Sequence, residues 1–242
     1  MFRALRVALT FLTTLPLPPV KVWKDDDARR SVRAYPVAGL LLGALLAAAW
    51  WGLGGFPDPL RGALLLGVWL LLTGALHFDG FCDVADAAFS SRTPGERQHI
   101  AQDPHLGAFA LAAGGTLLLV KAAALADAQP ALLLLVPTLS RTLVVLPLAF
   151  GRTHGSSRLG RSTQLRPGEA PLPLMLGAAL CVGTAFFTNH LGTLLWLALA
   201  ALGTTLLLAW WLARRLDGLG GDAHGAVIET SEAVMLSLAA AL

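Results

Sequence analysis

Charge is scarce in this chain: Asp, Glu, Lys and Arg make up 14% of its 242 residues, against about 25% in an ordinary soluble domain. Two cysteines, Cys82 and Cys181, are too few for a disulfide framework or a zinc site. Cys82 reads as a small packing residue. No Walker-type loop and no zinc-hydrolase spacing is present, and nothing points to a nucleic-acid partner. The absence of an internal repeat removes support for an inverted-repeat transporter. Hydrophilic stretches never exceed about 30 residues, so there is no room for a separate soluble domain.

Long apolar runs are what the chain has instead. Arg33 and Asp58 bracket 24 uncharged residues, and Glu169 and Arg214 bracket 44. About 20 helical residues cross a hydrocarbon core. The spacing therefore predicts an all-α, polytopic helical membrane protein, with residues 1–242 forming one integral membrane domain. Seven spans are expected, over Pro36–Leu53, Leu60–Leu76, Leu106–Ala126, Ala131–Phe150, Pro171–Phe187, Leu191–Trp211 and Ala226–Leu242. The run of 44 must be two spans, since one helix of that length would reach about 66 Å. Asn189 and His190 mark the turn between them. The first residues, "MFRALRVALTFLTTLPLPP", look superficially like a signal peptide but lack a small-x-small cleavage site. They read as a short interfacial or re-entrant helix.

Thirteen basic residues fall in the segments 16–35, 77–105, 151–170 and 212–225, and only Arg61 falls in the opposite loops. The positive-inside rule makes the thirteen-residue side cytoplasmic and leaves the C-terminus outside.

Every candidate site residue lies on or near that side. In "HFDGFCDVADAAFSS" (His77–Ser91), a helix continuing past His77 would put Asp79, Asp83 and Asp86 on one face. Like charges so placed repel, and a hard divalent cation such as Mg2+, completed by waters and substrate phosphates, offsets the repulsion. His77 is a base or a hydrogen-bond partner of the cluster. Asp103, before Pro104, either caps the next span or joins the metal site. In "GLGGDAHGAVIETSEAV" (Gly218–Val234), Gly221 and Gly225 let backbone approach a phosphate at a helix start. Asp222, Glu229 and Glu232 share one face there, and carboxylates inside a span are functional candidates. Arg158 belongs to an arginine- and serine-rich loop suited to an anion. Arg141 lies within a span and should pair with these carboxylates, whereas Lys121 is expected to snorkel.

"HFDGFCDVADAAFS" resembles the H-[LF]-D-G-[LF]-x-D-x-x-D signature of the cobalamin synthase family of adenosylcobinamide-GDP ribazoletransferases. Further blocks follow in family order: "FLTTLPLP" (Phe11–Pro18), "YPVAGLLLG" (Tyr35–Gly43), Asp103–Gly107, "LSR" ending at Arg141, and "GDAHGAVIETSEAV" (Gly221–Val234). The resemblance implies attack by the 3′-hydroxyl of α-ribazole, or of its 5′-phosphate, on adenosylcobinamide-GDP. GMP leaves, and magnesium is required. It implies metal at Asp79, Asp83 and Asp86, completed by Asp103 or Asp222, and proton transfer to an aspartate or His77. It also implies a bacterial inner-membrane location with the site facing the cytoplasm. A homo-oligomer, or a complex with other cobalamin-assembly enzymes, is compatible with it. Pro104 and His105 stand where the family has serine and arginine, so phosphate contact passes to His105, Arg141 or Arg158. Thr14 and His224 replace a common arginine and leucine. A CDP-alcohol phosphotransferase is the alternative enzyme, but Asp83–Val84 stands where that motif has alanine–arginine. A cation carrier is the non-enzyme alternative, and the clustering of acids at one face argues against a through-path.

Overall fold

A computed structural model describes residues 2–18, 20, 26–101, 103, 105–153 and 162–242. Among these the chain is all helix: α1 Phe2–Leu12, α2 Asp27–Ser31, α3 Tyr35–Gly52, α4 Asp58–Thr73, α5 Leu76–Phe89 and α6 Pro94–Ile100. Then come α7 Ala108–Ala126, α8 Pro130–Leu143, α9 Val145–Phe150, α10 Pro171–Phe187, α11 Leu191–Arg215 and α12 Gly221–Ala241. Five helical stretches are long and apolar enough to cross a membrane: Asp27–Gly52, Ala108–Ala126, Pro130–Phe150, Pro167–Phe187 and Leu191–Arg215. A sixth is counted if α4 and α5 form one broken span.

The expectation of seven is therefore met only to five or six, for two physical reasons. α4 has 16 residues, roughly 24 Å at 1.5 Å per residue, which is short of a full hydrocarbon core. α12 carries Asp222, Glu229 and Glu232 and lacks the apolar composition of a lipid-facing span. Glu229, Glu232 and most of its first four turns are buried against α5, α7, α8 and α11, while Asp222 at its start is exposed. α1 is 11 residues long, too short to cross, and buries one face through Val7, Ala8, Leu9 and Leu12. The Asn189–His190 turn is where the sequence puts it. Asn189 is left-handed (φ 60°), and the His190 N–H donates to the Ala185 carbonyl at 2.7 Å, closing the end of α10.

The second expected span does not run on through the aspartates. Gly74 (φ 60°) and Ala75 (φ 53°) are both left-handed, and α5 leaves at 94° to α4. Thr14 stabilises that corner from the N-terminal block. Its N–H donates to the Leu72 carbonyl at 2.8 Å and its hydroxyl to the Leu71 carbonyl at 2.7 Å. The Leu72 carbonyl at the end of α4 is thereby satisfied, and that of Leu71 gains a second donor beside the Gly74 N–H. α5 is thus a separate helix turned off the span axis, at the end of the bundle where α12 begins; this is called the acidic end below. There α6, started by a Thr93–Glu96 capping box, ties α5 to the end of α11: Arg97 donates to the carbonyls of Ser90 and Arg215, and Gln98 to that of Leu216.

Along the bundle axis α3 packs on α8. A Cβ at Gly43 would overlap the Leu133 carbonyl. Small residues let helix backbones approach closely where lipid supplies no hydrophobic drive. Gly43→Val is expected to destabilise the folded protein by about 1–3 kcal/mol, the cost of overpacking. Gly67→Ala, at a glycine with open space around it, should not. Thermal unfolding of both variants in detergent checks the contrast.

Candidate functional site

The aspartates of α5 do share a face, as their spacing predicts, but their environments differ. Asp86 is engaged with backbone. Its Oδ2 accepts from the Gly107 N–H at 2.7 Å and its Oδ1 from the Ala110 N–H at 2.9 Å. It caps the start of α7, where a carboxylate meets open N–H groups and the positive end of the helix dipole. Asp79 and Asp83 make no ion pair among the described residues. Instead α12 brings a third carboxylate to them. A Cβ on Gly80 would overlap the backbone of Asp222, and one on Gly225 would press on the His77 backbone at 3.2 Å. These two bare positions let α5 and α12 touch, and so set Asp222 beside Asp79 and Asp83. Burial and the charges of Asp79, Asp222 and Asp86 act together on the Asp83 carboxyl.

Among the described residues, no three His, Cys, Asp or Glu side chains are arranged as a metal cage. What the site offers is a concentration of acceptor oxygens from Asp79, Asp83 and Asp222 with no cation from the chain beside them. That donor set suits a hard ion taking one or two carboxylates and completing its shell with water and phosphate. Asp103 is engaged with its own loop. It is exposed and accepts from the backbone N–H of His105 at 3.0 Å, with the His105 ring at 2.6 Å. That contact holds the Asp103 carboxyl below the usual range. Arg158 falls outside the described residues.

Glu229, Glu232, Arg141 and Lys121 form a second, deeper constellation. Lys121 does not snorkel. It is 1% exposed, and its Nζ donates to Glu229 and Glu232, each at 2.8 Å. The ammonium also sits over the Trp69 ring, 4.4 Å from its centroid. The other oxygen of Glu232 pairs with Arg141, as the sequence suggests for an arginine within a span. Two cations and two carboxylates from α7, α8 and α12 thus neutralise one another. Each glutamate is thereby paired with a cation of the chain. Sequence reasoning missed the role of Lys121, although equal numbers of buried cations and glutamates within apolar segments were a usable signal.

Arg141 links this cluster to α5. Its second terminal nitrogen lies 3.3 Å from His77 Nδ1. A guanidinium can only donate, so Nδ1 accepts and the ring proton of His77 is on Nε2. His77, Asp222, Gly221, Gly225, Tyr35 and His224 line a cavity of about 50 Å³ enclosed by α1, α3, α5, α9 and α12. Gly221 and Gly225 are where the expected glycine-rich helix start places them, with Gly220 as an N-cap lacking a side-chain bond.

A family model described as cobalamin-5-phosphate synthase matches residues 4–240. A protein of Deinococcus radiodurans named adenosylcobinamide-GDP ribazoletransferase is 37% identical over 238 residues, covering 97% of this chain and 84% of that one. A protein of the same name from Pseudomonas paraeruginosa is 38% identical over 249 residues, covering 98% of each. One from Brevibacillus brevis is 33% identical over 242 residues. No solved structure matches.

Removing one partner of a buried ion pair leaves a charge uncompensated, at a cost of about 3–5 kcal/mol. Lys121→Met should therefore lower stability strongly. Adding Glu229→Gln to it restores neutrality and should recover at least half of the loss. Denaturant unfolding of the single and double variants checks this.

Proposed function

The chain belongs to the cobalamin-5-phosphate synthase family, whose work is transfer in the assembly of the cobalamin nucleotide loop, and we propose that its own reaction is the one its relatives are named for. Adenosylcobinamide-GDP gives up its adenosylcobinamide-phosphate portion to α-ribazole, or to α-ribazole 5′-phosphate. The 3′-hydroxyl oxygen of the ribazole forms a bond to the phosphorus that carries the cobinamide arm. The bond from that phosphorus to the oxygen of GMP breaks, and GMP departs with the electron pair. The hydroxyl proton passes to a carboxylate. The product is adenosylcobalamin or its 5′-phosphate.

The observation that carries this reading is the meeting of Asp79 and Asp83 on α5 with Asp222 at the start of α12. Phosphoryl transfer needs positioning and charge neutralisation more than covalent help from the protein. One or two of these three aspartates would hold a magnesium ion whose shell water and the diphosphate complete, and which would supply neutralisation of the diphosphate when bound. Asp86 acts indirectly by holding α7 to α5, and no metal is assigned to Asp103. His77, with its proton on Nε2, serves as a donor to a phosphate oxygen, so an aspartate is the better acceptor for the hydroxyl proton. Arg141, committed to Glu232, supports His77 and does not grip phosphate. The acidic end also carries the basic loops, with Arg92, Arg97, Arg214 and Arg215 around it. The positive-inside rule then puts the site on the cytoplasmic side of the bacterial inner membrane, where nucleotide substrates are found.

Asp79→Asn, Asp83→Asn and Asp222→Asn are each expected to slow GMP release about a hundredfold or more, with unchanged melting in detergent. Glu96→Gln, at the exposed α6 cap, should leave the rate alone. Normal turnover in all three aspartate variants would overturn the assignment.

A further inference from the structure

α5 has a second face. Opposite the aspartates, Phe81, Val84, Ala85 and Ala88 form one wall of an apolar groove of about 590 Å³. α7, α11 and α12 form the other walls. The mouth is at the acidic end, where the ring of Phe89 lies 6.0 Å from that of Phe109 and 5.9 Å from that of Trp211. Aromatic side chains favour the membrane interface. From Phe109 the groove follows α7 as far as Val120, roughly 16 Å at 1.5 Å per residue. One leaflet of a hydrocarbon core is about 15 Å deep, so the groove has the reach of a single acyl chain. Its two hydroxyl-bearing side chains have their protons already committed. Thr116 donates to the Ala112 carbonyl and Thr230 to the Ala226 carbonyl, each at 2.8 Å.

The rim is cationic. Arg215 is one helical turn beyond Trp211 and two beyond Leu208, directly above the wall that α11 contributes. Its Nε donates to the Ala88 carbonyl at 2.7 Å, at the edge of α5. Neighbouring Arg214 is exposed and lies over the Trp210 ring. No carboxylate pairs with either arginine among the described residues. An apolar slot one leaflet deep, with aromatic rings at its mouth and unneutralised guanidinium groups above, matches one kind of molecule.

We propose that this groove holds one acyl chain of an anionic phospholipid, with the headgroup phosphate against Arg215. The inference does not rest on the proposed reaction. The lipid would fill the space beneath the aspartate-bearing helix and so support α5 from the side away from the acids.

Native mass spectrometry of the full chain tests this, after detergent extraction and re-addition of phosphatidylglycerol or phosphatidylcholine. The expected result is one retained phosphatidylglycerol per chain, preferred about fivefold over phosphatidylcholine, the value of one basic group at a charged surface. Ala113→Leu, which projects into the groove, should abolish retention. Arg215→Gln should remove the preference while leaving a chain bound. Melting temperatures identify any variant that fails to fold, and Arg214→Gln, at an exposed position, then serves as the second charge variant with a smaller loss of preference. No retained lipid, equal retention of both lipids by the wild type, unchanged retention by folded Ala113→Leu, or a lipid-free dimer would each overturn the proposal.

Discussion

The buried contact of Lys121 with Glu229 and Glu232, completed by Arg141, is the constraint on which the arrangement of the molecule rests. A charge deep among apolar helices is costly unless paired. Here the pairing can be met in only one register of α7, α8 and α12. A slide of α12 by one turn would separate Glu232 from Arg141 and Glu229 from Lys121 together. The register of α12 in turn fixes how far Asp222 stands from Asp79 and Asp83. Arg141 transmits the same constraint to α5 directly through His77 Nδ1. Four buried charges thereby set the relative placement of Asp79, Asp83 and Asp222.

The second determinant is the corner at Gly74–Ala75. Without it α5 would continue α4, and its aspartates would be carried away from α12. With it, α5 lies across the acidic end, with acids on one face and an apolar groove against the other. The corner relies on left-handed backbone at two residues and on Thr14 closing the carbonyls of Leu71 and Leu72. This gives the N-terminal Phe11–Pro18 block a structural purpose that its composition alone does not suggest.

Much of this was legible in the residues. The apolar runs mark the helices to within a few positions, and the spacing of Asp79, Asp83 and Asp86 marks the shared face. The family blocks and the paired glutamates with Arg141 were also visible. What was not legible depends on contacts distant in sequence. Asp86 reads as the equal of Asp79 and Asp83, and its bonds to the Gly107 and Ala110 amides, 21 and 24 residues on, appear only in the structure. Lys121 reads as a snorkelling residue because its partners are more than 100 residues away. The corner is hidden because only Thr73 and Gly74 interrupt the apolar run in "LLLTGAL", and a left-handed Ala75 has no sequence signature. The span count slipped for the same reason: length and hydropathy cannot register a short helix ended by a turn, or a polar helix shielded by its neighbours.

The most direct test of the central claim is a single incubation of the purified wild-type chain, in liposomes, with magnesium, adenosylcobinamide-GDP and α-ribazole, read by mass spectrometry. The account predicts GMP and adenosylcobalamin in equal amounts, with formation lost when magnesium is chelated. Intact adenosylcobinamide-GDP after prolonged incubation, or GMP formed without a ribazole-containing corrinoid, would contradict it.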